Sequence, residues 1–220
     1  RRRPIWTTNV AAFLVGVGQF AGFVLIPQYV QEPASTGYGF GAGPFVAGLY
    51  LLPMTLGVLG IGLATSALDR RFGPRALLVG GAAAIAAAFL LLTFLRDGRL
   101  AVCTASALLG AGCGIAMAAL ATLVISHAAL HETGAAAGVN NVARTLGGAI
   151  GAQLGAALLA AGIAPGGAHT SHGYTLAFAV GLAAAALAVA LGPLLPRRLA
   201  AITETPTSAA VGAPNLAYRR

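Results

Sequence analysis

Pro74-Arg75-Ala76-Leu77-Leu78-Val79-Gly80-Gly81-Ala82-Ala83-Ala84-Ile85-Ala86-Ala87-Ala88-Phe89-Leu90-Leu91-Leu92-Thr93-Phe94-Leu95 decides the fold. Beyond Arg75 it holds no charge and one hydroxyl, Thr93. Its length matches the roughly 20 apolar residues that cross a bilayer as a helix. Ala, Leu and Gly run around the whole helical wheel, so there is no polar face for water to cover. On either side of this stretch lie others of the same kind: residues 6–30 and 44–66 before it, and 100–126, 133–164 and 174–195 after it. The sequence therefore predicts an all-α membrane protein with six transmembrane helices over residues 6–195. A basic lead, residues 1–5, precedes them. The segment 196–220 carries Thr203, Glu204, Thr205, Pro206, Thr207 and Ser208, cannot bury a core, and reads as a disordered tail. Pro27, Pro53 and Pro193 fall inside or near helix ends. Neighbouring helices re-satisfy the carbonyls that such prolines free.

Composition agrees. Apolar residues make up 58% of the chain and charged residues 8%, against about 25% charged in soluble domains. The net charge of +8 would fit nucleic acid if it covered a soluble face. It does not: the arginines cluster at the ends of apolar stretches, which is how membrane orientation is encoded. Arg1, Arg2, Arg3, Arg70, Arg71, Arg75, Arg197, Arg198, Arg219 and Arg220 fall on one side of the six-helix pattern. Only Arg96 and Arg99 fall on the other, and Arg144 is left inside a helix. Both termini are thus expected in the cytoplasm of a multi-pass protein, and an even number of spans demands termini on one side.

The third and sixth helices are almost devoid of polar residues, which suits lipid-facing positions. The first carries Asn9, Gln19 and Gln28, the fourth Thr104, Ser106 and Thr122, and the fifth Asn140, Asn141, Arg144, Thr145 and Gln153. Two trios of similar length, each with an apolar third member, form the pattern of a 3+3 inverted repeat. Gly18 and Gly22, Gly110 and Gly114, and Gly147, Gly151 and Gly155 recur at four-residue spacing. Such steps let helix backbones approach. Packing alone accounts for most of them.

Arg144 is the costly residue. An arginine at a helix centre is charged about 2.5–3.5 kcal/mol on insertion. On a helical wheel Gly151 and Gly155 lie within about 20° of it and Asn140 about 40° away. The charge therefore shares the close-packing face. It either lines a polar cavity or gate, or snorkels to the headgroups. The five acids, Glu32, Asp69, Asp97, Glu132 and Glu204, all lie at helix ends, in loops or in the tail. Buried Asp, Glu and His are the usual proton relays, so an acid driving proton coupling is expected outside these residues.

Other constellations fail. His127, His131 and Glu132 do not have the order of a zinc protease helix. His169 and His172 are expected in a Gly-rich outer loop with no Cys or acid nearby. Cys103 and Cys113 would stand about 15 Å apart on one helix, too far for a disulfide. No phosphate-binding loop or nucleophile elbow is present. The sequence calls for no enzyme activity, no cofactor, no metal and no nucleic acid.

The segment Leu68-Asp69-Arg70-Arg71-Phe72-Gly73-Pro74-Arg75 resembles the cytoplasmic signature loop of the major facilitator superfamily, Gly-x-x-x-Asp-Arg-x-Gly-Arg-Arg. Aligned on Gly73, Arg71 takes the family's Arg and Arg75 a final basic position. Ser66 replaces the Gly, Asp69 stands one residue early, and Pro74 replaces a basic residue. A degenerate copy of this kind is common in the C-terminal lobe. Thr36-Gly37-Tyr38-Gly39-Phe40, Ala47-Gly48-Leu49-Tyr50-Leu51-Leu52-Pro53 and Asn141-Val142-Ala143-Arg144-Thr145-Leu146-Gly147-Gly148-Ala149-Ile150-Gly151 are similar to segments of the fourteen-helix drug:proton antiporter branch.

The resemblance covers about residues 1–195. It implies the last six helices of a longer transporter in the bacterial cytoplasmic (inner) membrane, with a missing N-terminal lobe and two linking helices upstream. It implies proton-coupled efflux of small hydrophobic substrates by alternating access. The first and fourth helices would line the cavity, with Gln19, Phe23 and Met117 facing it. The second and fifth would form the inter-lobe seam, with Asn140, Arg144, Gly151 and Gly155 at the seam or gate. Asp69, Arg71, Gly73 and Arg75 would form the cytoplasmic signature loop. For Phe23 and Met117 ordinary packing is the alternative. For the whole chain the alternatives are a six-helix membrane scaffold and the permease subunit of an ATP-driven system.

Overall fold

The computed structural model describes residues 3–128, 132–163 and 169–195. Arg1, Arg2, His131 and the segment 196–220, with Arg197, Arg198, Arg219 and Arg220, lie outside them. The described residues form α1 (Arg3–Gln31), α2 (Pro44–Leu49), α3 (Leu52–Phe94), α4 (Arg99–His127), α5 (Thr133–Ala161) and α6 (Ser171–Ala190). Single 3₁₀ turns follow at Ala34–Thr36 and Gly192–Leu194. Six segments are long and apolar enough to span: Ile5–Gln31, Pro44–Thr65, Ala67–Phe94, Arg99–His127, Thr133–Ala161 and Ser171–Leu194. We number these spans 1 to 6.

Span 2 is broken. Pro44 opens α2 at its first turn, where a missing N–H costs nothing. Pro53 ends it, because its ring excludes the carbonyl four residues back, that of Leu49. The helix restarts at Leu52 and continues through the Asp69–Phe72 segment, which is helical and not a loop. The chain turns at Gly73 alone (φ 77°, ψ 158°), and Pro74 opens span 3 directly after it. That backbone conformation is essentially reserved for glycine.

Close contacts give the directions of the helices. Cβ atoms placed on Gly147 and Gly151 would lie 2.0 and 2.4 Å from the Phe13 and Val17 carbonyl oxygens, so α1 and α5 run parallel. Gly110 meets Met54, and Gly114 meets Val58, so span 2 runs parallel to α4. Gly81 meets Ala116, while Gly112 meets Ile85, so span 3 runs antiparallel to α4 and the chain reverses at Gly73. Span 3 also packs antiparallel on α6, through Phe89 on Gly181 and Val79 on Gly192. The first helix of each trio thus rests on the second helix of the other, while the two third helices meet each other. This exchange is what an inverted 3+3 repeat produces, the arrangement that the resemblance to a major-facilitator lobe implies.

Helix packing in a bilayer relies on close van der Waals contact, since lipid is as apolar as the side chains. The glycine steps supply it. The core contains Leu25, Ile26, Ile85, Leu109, Leu120 and Leu123. At the end away from Gly73 it closes on an aromatic cluster, with Tyr29 edge-on to Tyr174 at 5.3 Å and to Phe178 at 6.1 Å. The apolar third helices are not the most open ones. Over the apolar stretch that would cross the bilayer, 17% of span 2 and 28% of span 5 is buried, against 50% for span 3 and 39% for span 6. Uniform hydropathy did not separate contact with lipid from contact with α1 and α4.

Candidate functional site

Gln19 lies near the middle of α1, Met117 in the second half of α4 and Arg144 near the middle of α5. The fold brings the three together. Arg144 Nη1 donates to Gln19 Oε1 at 2.9 Å, and Nη2 donates to Asn141 Oδ1 at 2.8 Å. Gln19 Nε2 points at Met117 Sδ, 4.0 Å away. The guanidinium is therefore held between α1 and its own helix and does not extend to a helix end. Gln19 is buried and Arg144 half-buried. Among the described residues no carboxylate lies within 4 Å of Arg144; its partners are neutral amides. Hydrogen bonds to a charged group contribute about 1.5–3 kcal/mol, which offsets much of the cost of its depth.

One helical turn towards the start of α5, buried Asn140 donates to Asn9 Oδ1 at 3.0 Å and to the Thr8 carbonyl at 3.5 Å. A cleft of about 150 Å³ opens between α4 and α5, lined by Met117, Asn140, Asn141 and Arg144 among others. On the other flank of α4 a larger cleft, about 840 Å³, separates it from span 2. Thr65, Asp69, Arg70, Met117 and Thr122 line it. Met117 thus belongs to both.

Phe23 lies one turn beyond Gln19 on the same face of α1, 41% exposed, edge-on to Phe20 at 6.4 Å. It stays apart from the polar group. Gly151 packs on the Val17 backbone and Gly155 on Leu25, so both face α1 within the lobe. The outward face of α5 carries Val139, Val142, Leu146, Ile150 and Leu154, all exposed. Span 2 shows a matching stripe, Leu52, Leu56, Leu59 and Leu63.

In the signature segment Arg71 stacks on the exposed Phe72 ring, 5.3 Å from its centroid. Gly73 makes the turn. Arg75 lines a groove of about 720 Å³ with Phe72, Pro74 and Pro193, between the start of span 3 and the end of span 6. Asp69 faces the α4 side.

Two clusters escaped the sequence reading. Arg96, read there as an orientation charge, is buried. Its guanidinium donates to the carbonyls of Leu92, Thr93 and Ser171 and to the hydroxyls of Ser171 and Thr175. It also lies 5.7 Å from the Tyr29 ring centroid. Glu32 is buried too, 2.6 Å from His169 Nδ1, a residue 137 positions away. A capping Thr170 before Ser171 was the one sequence sign that α6 begins beside them.

Residues 1–152 match the sequence profile of the Major Facilitator Superfamily. The chain is 34% identical over 140 residues to the puromycin resistance protein pur8 of Streptomyces alboniger, covering 61% of this chain and 27% of that protein. It is 27% identical over 155 residues to a multidrug resistance protein B homolog of Mycobacterium tuberculosis, covering 68% of this chain and 27% of that one. The matched region thus spans about a quarter of each curated relative.

Proposed function

The chain belongs to the Major Facilitator Superfamily, and on that premise we propose that it is the C-terminal lobe of a proton-coupled exporter of hydrophobic drugs or metabolites. The observation that carries the reading is the Gln19–Arg144 hydrogen bond, which joins α1 to α5 at mid-depth beside the cleft shared with Met117. Polar groups at that depth are expensive and mark transport pathways. The adaptable thioether of Met117 suits varied apolar compounds, and Phe23, one turn farther along α1, offers an exposed ring. The printed names of the two relatives, puromycin and multidrug resistance, favour drugs as cargo.

In this reading the apolar stripes of spans 2 and 5 form the seam with an N-terminal lobe, and Asn140 and Arg144 stand at its edge. Gly151 and Gly155 hold α5 to α1 so that the seam face stays presented. Arg144, with neutral partners within this lobe, meets an acid or a substrate from across the seam during rocking. Asp69, Arg71, Gly73 and Arg75 form the cytoplasmic turn, and both termini lie on that side of the bacterial inner membrane.

The test is accumulation of puromycin and of a fluorescent lipophilic cation in drug-sensitive bacteria producing the full-length protein. Expected is lowered accumulation that an uncoupler restores. Accumulation equal to that of cells without the protein would end the proposal. Export that survives uncoupling would favour the ATP-driven alternative.

A further inference from the structure

At the end of the lobe opposite Gly73, Glu32 closes α1 with its carboxylate buried. One oxygen, Oε1, lies 2.6 Å from His169 Nδ1 and accepts from the Tyr174 hydroxyl at 3.0 Å. The Tyr38 hydroxyl donates to the His169 carbonyl. The chain after Glu32 folds back on it: Gly41 N–H donates to the Glu32 carbonyl at 2.8 Å and Ala42 N–H to that of Val30 at 3.0 Å. On the other side Thr170 N–H donates to the Gly162 carbonyl at 2.7 Å, so His169 is fixed to the end of α5. A cleft of about 250 Å³, lined by Gln28, Gln31, Glu32, Pro33 and His169, opens on the pair. The imidazole is one-third exposed and the carboxylate 8% exposed.

The contact joins opposite trios. Glu32 and the residues that follow belong to spans 1 and 2, His169 and Tyr174 to spans 5 and 6. We propose that Glu32 and His169 form a proton-binding latch that fastens the two trios together at this end of the lobe. With the imidazole protonated, the pair is an ion pair with a charge-assisted hydrogen bond, about twice as strong as a neutral one. When the imidazolium gives its proton to water through the cleft, the carboxylate keeps its charge and the attraction falls. Histidine is the side-chain type that exchanges its proton between about pH 5 and 8.

The other charged or titratable groups around the pair are Tyr29 on α1, Tyr38 in the following segment, Tyr174 and His172 on α6, and Arg96 and Asp97 after span 3. The tyrosines hydrogen-bond as donors. Arg96 is committed to Ser171 and Thr175. Of the two side chains that bond the carboxylate, Tyr174 and His169, a phenol ordinarily ionises only at about pH 10, so His169 is the type that exchanges a proton near neutrality.

The test is hydrogen exchange of the segment 33–43 in the full-length protein in lipid nanodiscs, between about pH 6 and 9, corrected for the intrinsic rate. Expected is a loss of protection on the order of tenfold as pH rises. His169→Gln should remove the protection at both ends of the range. His169→Arg, with a permanent charge, should keep it at both. Protection that does not change with pH in the native protein, or that falls with pH in H169R as well, overturns the latch. The measurement reads no transport, so its failure and that of the exporter reading are separate results.

Discussion

A Cβ on Gly16 of α1 would lie 2.0 Å from the carbonyl oxygen of Arg144 in α5, so the two backbones touch where the guanidinium link crosses. Gly16→Ala pushes α1 away from α5 and stretches the Gln19–Arg144 bond. Overpacking of this kind costs about 1–3 kcal/mol. The thermal midpoint in detergent should fall for G16A and hold for Gly60→Ala, where a Cβ meets nothing within 4 Å. Equal midpoints would show that the contact has slack.

Arg144→Lys keeps the charge but loses the planar fork that reaches Gln19 and Asn141 at once. Losing one charged hydrogen bond weakens the site by about 1.5–3 kcal/mol. On the exporter reading, drug export by the full-length protein at matched membrane levels should fall about tenfold or more, and further in Arg144→Ala. Wild-type export by R144K would mean that charge alone is needed.

Arg96→Lys tests the clasp between spans 3 and 6. Lysine is a single point charge and cannot reach Thr93, Ser171 and Thr175 together. Orphaned buried acceptors cost about 1–3 kcal/mol each. The unfolding midpoint should drop by several degrees or more, and Arg99→Lys should leave it in place.

Gly73→Ala isolates backbone strain, because no atom lies within 4 Å of the added methyl. A non-glycine residue in that region costs about 1–3 kcal/mol. The variant should insert less efficiently and unfold earlier. If it matches the native protein, the turn relaxes without loss.

Tyr38 supplies a pH effect. Burial first, and then the Glu32 charge, raise the phenol above its ordinary value. A group with a raised value in the fold contributes stability that is present below the unfolded value and is lost as pH rises through the folded one. Stability should therefore decline above about pH 10. Tyr38→Phe should flatten that part of the curve in a pH series of thermal midpoints.

The six spans were legible because apolar length is a local property. Every expected helix is present, and Thr133 begins α5 in both readings. Azimuth was not legible. In chains of Ala, Gly and Leu one face resembles another, so no local pattern marked span 2 as more open than span 3. Arg144 announced itself by its cost, and wheel geometry placed it with Gly151, which does face α1. Its partner Gln19 came only through the resemblance. Glu32 and His169 could not be joined by local pattern, since their contact depends on which spans pair. Arg96 looked like a loop charge because its acceptors are backbone carbonyls and hydroxyls that carry no charge to match.

The exchanged pairing of α1 with α5, and of span 2 with α4, has a meaning for biosynthesis. Of these six spans, the first to leave the ribosome has its main partner four helices later. Until that helix arrives, the faces of Gly16 and Gln19 lie against lipid or the insertion machinery. Neither trio is then a separate folding unit, and the lobe is completed only when its second half has been threaded into the membrane.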